Sequence, residues 1–188
     1  IETYLSVNAQ SVVYSKTASG KYQGSIEIKV TYRSATEVVH SDNYNLLSPE
    51  VDDSLNVKFS FLDQQRVQLP NGQYKMKLVI TDKNVPDKPY NVTQMISIEY
   101  FNNIAAVSDI QFLDSYSKSE TESILTKSGF DLVPFVDNFF PSSAKTLKFY
   151  AEIYNANKIL DSSAYLVFYY IESAESKKVV ENLQGFTR

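Results

Sequence analysis

A single histidine limits the catalytic options of this chain. His40 lies in Thr36-Glu-Val-Val-His-Ser-Asp42, and any serine–histidine–carboxylate relay has to use it. On a strand, neighbouring side chains point to opposite faces, so Ser41 cannot join His40 and Asp42 in a local relay. No Gly-x-Ser-x-Gly elbow occurs, and Gly20, Gly24, Gly72, Gly129 and Gly185 form no phosphate-cradling run. With no cysteine, disulfides, thiolate metal sites and cysteine nucleophiles are all excluded. One histidine and no thiol also leave zinc without its usual ligands.

Oxygen chemistry is the remaining metal option. Asp82-Lys-Asn-Val-Pro-Asp87 puts the oxygens of Asp82, Asn84 and Asp87 in one loop, which makes these residues the calcium candidates. Asp42-Asn-Tyr-Asn45 and Asp52-Asp53 are similar clusters. Asp and Asn are equally the ordinary residues of turns, where their side chains bond their own backbone, and that reading is preferred. We therefore expect no cofactor. A carboxylate-based hydrolase would need two acids across a cleft, and Glu152 and Glu172 can be named only because acids are plentiful. Asn91-Val-Thr93 fits the glycosylation acceptor pattern.

Aromatic side chains offer a binding surface instead. The chain has 14 Tyr and 11 Phe and no Trp, and in Lys148-Phe-Tyr-Ala-Glu-Ile-Tyr154 the polar face carries Tyr150, Glu152 and Tyr154. Two rings on one outer face can meet a protein, a neighbouring domain or a sugar. Cross-strand packing is the plain alternative.

The elements that would position these residues read as strands. Ile26, Ile28, Val30 and Tyr32 alternate with Glu27, Lys29, Thr31 and Arg33, the pattern of a strand with one buried face. The same alternation runs through Leu55, Val57, Phe59 and Phe61, through Tyr74, Met76, Leu78 and Ile80, and through Ile96, Ile98 and Tyr100. Leu69-Pro-Asn-Gly-Gln-Tyr74 leads from a turn into a strand ending at Asp82. A Tyr at that place resembles a tyrosine corner, in which the phenol bonds backbone a few residues upstream; the alternative is a hairpin turn beside a core Tyr. Alternation restarts at Ile110, so a domain boundary is placed near residues 102–107. Beyond it, 115–129 reads as loop, Leu132–Val136 as an edge strand around Pro134, Thr146–Asn155 as one strand, and Tyr165–Ile171 as a central strand. Residues 172–183 suit a helical turn or a last strand.

Composition sets outer bounds. A net charge of −4 argues against a nucleic-acid partner, which needs clustered Lys and Arg. No apolar run approaches the length of a membrane span. Because the chain starts at Ile1 rather than Met, an upstream segment is expected.

The order Ile1-Glu-Thr-Tyr-Leu-Ser-Val7, Leu69-Pro-Asn-Gly-Gln-Tyr74 closing on Asp82, Val107-Ser-Asp-Ile110, then Pro141 and Leu147-Lys-Phe-Tyr-Ala-Glu-Ile-Tyr-Asn155 resembles the N-terminal region of Bacteroidetes exported proteins named for a GWxTD motif. The naming motif itself does not occur in these residues. The resemblance implies export to the periplasm or cell surface and a non-catalytic role, and it carries over no site residue.

The expectation is therefore an all-β protein of two immunoglobulin-like β-sandwich domains in tandem, 1–103 and a smaller 104–188. Its expected role is a non-enzymatic extracytoplasmic interaction or scaffold module, bound to a protein partner or to neighbouring domains of the same polypeptide. Competing readings are an accessory carbohydrate-binding module, which would need exposed coplanar rings, and a hydrolase, which would need a pocket gathering polar groups.

Overall fold

A computed structural model describes residues 1–137, 139–161 and 164–187. The fold is all-β: strands take 51% of it and helix 4%. In chain order the strands are β1 (Glu2–Asn8), β2 (Tyr14–Lys16), β3 (Tyr22–Arg33), β4 (Val38–Leu47), β5 (Ser60–Arg66), β6 (Gly72–Asp82), β7 (Tyr90–Ile98), β8 (Ala106–Val107), β9 (Gln111–Lys118), β10 (Thr126–Lys127), β11 (Phe130–Pro134), β12 (Lys148–Tyr150) and β13 (Ile153–Tyr154). The short helix α1 (Ala156–Ile159), then β14 (Val167–Glu172) and β15 (Val179–Thr187), complete the chain. Two compact units result, Ile1–Tyr100 with Gln111–Tyr150, and Phe101–Ile110 with Ala151–Arg188.

In the first unit β3 is the organiser. It pairs with β4 on one side and β6 on the other, β7 continues beyond β6, and β2 pairs with the start of β3, all antiparallel. A separate sheet joins β1 to β5. The period-2 pattern explains the core: Ile26, Ile28, Val30 and Tyr32 are buried, whereas Lys29 and Arg33 are exposed. Ile26 and Ile28 pack with Leu5 and Val7 of β1 and Phe61 of β5, so the space between the two sheets is filled from both. Val30, Tyr32, Tyr74, Met76 and Ile98 form the adjoining cluster. Each such side chain removed from water contributes about 1.5–3 kcal/mol. At Gly24, opposite Tyr14, a Cβ would lie 2.6 Å from Val12 Cγ1, so only glycine lets β3 approach this closely.

The turn into β6 closes as the tyrosine-corner pattern requires: the Tyr74 hydroxyl donates to the Pro70 carbonyl at 2.9 Å. Gly72 makes room, since a Cβ there would come within 3.2 Å of that hydroxyl. Asn71 secures the far side, its Nδ2 donating to Tyr100 O and its Oδ1 accepting from Tyr100 N.

A four-stranded sheet, ordered β10-β11-β9-β12, completes this unit. Several expectations change here. Residues 111–118, read in part as loop, form β9, because Phe112 and Leu113 pair with Phe149 and Lys148 of β12 while Tyr116 pairs with Leu132 of β11. Pro134 ends β11 behind a register shift at Val133/Pro134, and β10 reaches only Phe130 and Asp131, so the proline lies where no ladder partner is needed on that side. The alternation from Leu55 to Phe61 yields a strand only from Ser60. Asp53 stops the ladder earlier by accepting from Leu55 N and Asn56 Nδ2, which leaves Leu55 90% exposed.

The second unit is built from small pieces. β8 pairs with β13, and β14 with β15. The expected strand 146–155 is broken: β12 ends at Tyr150, and Glu152 instead exchanges bonds with Ser108, through Ser108 N to Glu152 O and Glu152 N to Ser108 Oγ. Asn155 lies outside any strand. It adopts the left-handed conformation at φ 60° ahead of α1, and its Nδ2 donates to Phe101 O and Ile104 O. Residues 179–187 resolve as a strand. The segment expected as a central strand is one member of a two-stranded ladder, with Phe168, Tyr169, Tyr170 and Ile171 exposed.

Candidate functional site

His40 stands directly opposite Tyr32 in the β3–β4 ladder, their ring centroids 6.0 Å apart. It is half-buried on the core-facing side of an edge strand, so it packs as an aromatic. Ser41 points the other way, its hydroxyl donating to Val30 O and lying 3.4 Å from Thr31 Oγ1. Histidine and serine thus sit on opposite faces of β4, and no relay links them.

The oxygen-rich loops use their oxygens locally. Asp82 accepts from Asn84 N at 2.8 Å through one carboxylate oxygen and from Val13 N at 2.7 Å through the other; Asn84 Nδ2 donates to Val13 O. Asp82 and Asn84 thereby fasten the β6–β7 turn to the loop before β2, while Asp87 is exposed beyond them. Asp42 accepts from Asn43 N. Asp53, bonded as described, has its carboxyl held below the usual range by the Leu55 and Asn56 hydrogen bonds. Among the described residues no three His, Cys, Asp or Glu side chains gather as metal ligands do.

Tyr150, Glu152 and Tyr154 do not share a strand. Tyr150 ends β12, where Lys127 Nζ lies 5.2 Å from its ring centroid and Ser128 Oγ is 3.1 Å from its hydroxyl. Tyr154 belongs to β13, and its hydroxyl donates to the Glu152 carboxylate. The single strand on which the three were expected to share a face is thus divided, with Tyr150 on β12 and Tyr154 on β13.

A charged cluster that spacing does not reveal joins β1, β5, β9 and β10. The Glu2 carboxylate accepts from Arg66 Nε at 2.7 Å, from Lys127 Nζ at 2.5 Å and from the Tyr4 hydroxyl. Lys127 also donates to Gln111 Oε1. Partial burial pushes the Glu2 carboxyl up, but the bonds from Lys127, Tyr4 and Arg66 and the Lys127 charge outweigh it, and the group titrates below the usual range. Glu2 and Lys127 stand 125 residues apart, so only the fold brings them together. On the opposite face of β5, burial and the Asp63 carboxylate push the Tyr44 phenol far up; its hydroxyl donates to Asp63 Oδ2 at 2.5 Å, a polar link between β4 and β5.

Beside this cluster lies a cleft of about 460 Å³ lined by Arg66, Ser119, Thr121, Ser123, Thr126 and Ser128, among others. Its hydroxyls are largely engaged: Ser119 donates to Thr121 O and Thr126 to Asp131 Oδ1, and Arg66 is paired with Glu2. It offers hydrogen bonds, and its lining also carries the carboxylates of Glu120 and Glu122. No helix among the described residues is long and apolar enough to cross a membrane.

In comparison with known proteins, no family model, curated protein or solved structure matches the chain.

Proposed function

We propose that the chain is a non-enzymatic interaction or scaffold module, with an immunoglobulin-like sandwich in its first hundred residues. Support for the sandwich comes from strand order: β4-β3-β6-β7 matches the C′-C-F-G sheet of such domains, β1-β5 matches B-E, and Tyr74 occupies the corner position at the start of F. The same reading takes 104–188 as a second, smaller domain, a division that differs from the two compact units, in which 111–150 group with the first hundred residues. Export to the periplasm or cell surface follows from the resemblance to the GWxTD-motif proteins and is part of the proposal.

The observation that carries the interaction role is the β14–β15 hairpin. Tyr170 is 58% exposed and its neighbour Ile171 is exposed as well, one on each face of the same ladder. Two strands alone are marginal in water, and apolar side chains on both faces favour a covering partner. Aromatic residues are the ones that anchor protein interfaces.

Photo-crosslinking in the native envelope tests this. A photoreactive residue at Tyr170 is expected to trap one discrete protein, while the same residue at Lys75, on the wet face of β6, traps none. Equal labelling from both positions overturns the proposal, as does hydrolysis of ester or glycoside substrates in proportion to the amount of purified chain. A melting-temperature shift with glycans and no protein adduct favours the carbohydrate reading.

A further inference from the structure

We propose that β7 is a self-association edge, pairing antiparallel with β7 of a second copy of this chain about a twofold axis through Gln94. The starting observation is a difference between the two edges of one sheet. β4, the outer strand on one side, carries Asp42, has a register shift at Tyr32/Arg33 and is tied to β5 through Tyr44 and Asp63. Charges and bulges of this kind keep edges from pairing with other chains. β7, on the other side, has neither. Its nine residues, Tyr-Asn-Val-Thr-Gln-Met-Ile-Ser-Ile, include no proline and no charged side chain, and its register with β6 is unbroken. Every other strand of six or more residues contains at least one Asp, Glu, Lys or Arg. Among the described residues β7 pairs only with β6, and Tyr90 and Met95 are each 65% exposed. A row of main-chain donors and acceptors is thus presented along a straight, neutral strand.

Self-complementarity selects the occupant. Centring an antiparallel pair on Gln94 sets Val92 opposite Ile96 and Tyr90 opposite Ile98 on the core-facing side. On the other side it sets Thr93 opposite Met95 and Asn91 opposite Ser97. Apolar thus meets apolar on the core-facing side on either flank of the Gln94 pair, which favours a continuous core across the axis. The flanks supply charge complementarity. Lys88 precedes the strand and Glu99 follows it, both exposed, and the twofold sets Glu99 of each copy opposite Pro89 of the other, one residue from its Lys88. Such an interface is isologous and closes at two copies. It adds a partner to the interaction reading but uses a strand outside the β14–β15 face, so either can fail without the other.

The test is the mass of the purified chain in solution, read across concentration. Association is expected to raise it towards twice 21.4 kDa. Thr93→Glu/Met95→Glu sets glutamates against glutamates across the axis and is expected to abolish the dimer, with partial recovery at high salt. The same glutamates face Lys77 and Lys75 within the chain, so the melting temperature should hold or rise. The chain has no native cysteine, so Gln94→Cys places one thiol per copy on the axis and is expected to give an oxidised dimer; Thr93→Cys, offset by two positions from its equivalent, is not. A chain monomeric at every concentration overturns the proposal. So does a dimer that survives the glutamate pair, or one that crosslinks equally from positions 93 and 94.

Discussion

The two units of this chain differ in how many apolar side chains they bury. Among the described residues, every buried apolar side chain except Ala156 belongs to the first unit, where Ile28 and Tyr32 are almost wholly out of water. The second unit displays Phe168, Tyr169, Tyr170 and Ile171 instead. Burial per residue governs how strongly a region resists unfolding, and exposed apolar area governs what it can bind. Burial is thus concentrated in the first unit, and the proposed β14–β15 interaction face lies in the second.

The largest test of that contrast is Ile28→Ala, which empties the centre of the first unit. It should cost about 2–5 kcal/mol in chemical denaturation, and a smaller loss would mean that the core is less filled than described.

Acid gives the next effect. Because the folded-state pKa of Glu2 is depressed, its contribution is present above the ordinary carboxylate range and is lost as pH falls through the lowered folded value. Glu2→Gln should remove this acid dependence and cost about 1–3 kcal/mol at neutral pH by leaving Lys127 without its anion. An unchanged pH profile would detach the cluster from stability. Tyr44 works in the other direction. Its raised pKa means stability that is full below the ordinary phenol range and declines as pH climbs above it, and Tyr44→Phe should flatten that alkaline decline in a melting series.

Smaller still is Tyr74→Phe, which deletes the bond to Pro70 while keeping the ring; about 0.5–1.5 kcal/mol should be lost, measured as a shift in the denaturation midpoint. Least of all is Tyr170→Ser in the exposed ladder, expected to stay within about 0.5 kcal/mol of the parent. A larger loss there would break the contrast between the units.

Much of the first unit was legible in the sequence. Alternation in 25–33 and 74–80 placed both the strands and their buried faces, because a half-wet strand writes its environment every second residue. Leu69-Pro-Asn-Gly-Gln-Tyr74 also announced its own hydrogen bond, a local feature four residues long. What spacing could not carry was competition from side chains and long-range pairing. Asp53 ended a ladder that the pattern from Leu55 onward implied, and Ser108 captured Glu152 in the middle of an apparent strand. Tyr165–Ile171 is apolar on both faces, which reads as a central strand whether a sheet or solvent surrounds it. Glu2, Arg66 and Lys127 were invisible as a cluster, since nothing in an isolated acid or base names a partner more than sixty positions away.

Amide hydrogen exchange on the intact chain compares the two units most directly. Amides of β3 and β6 should exchange only with global unfolding, and those of β14 at least about tenfold faster through local opening. Equal protection in the two regions would contradict the division of labour between a closed core and an exposed ladder.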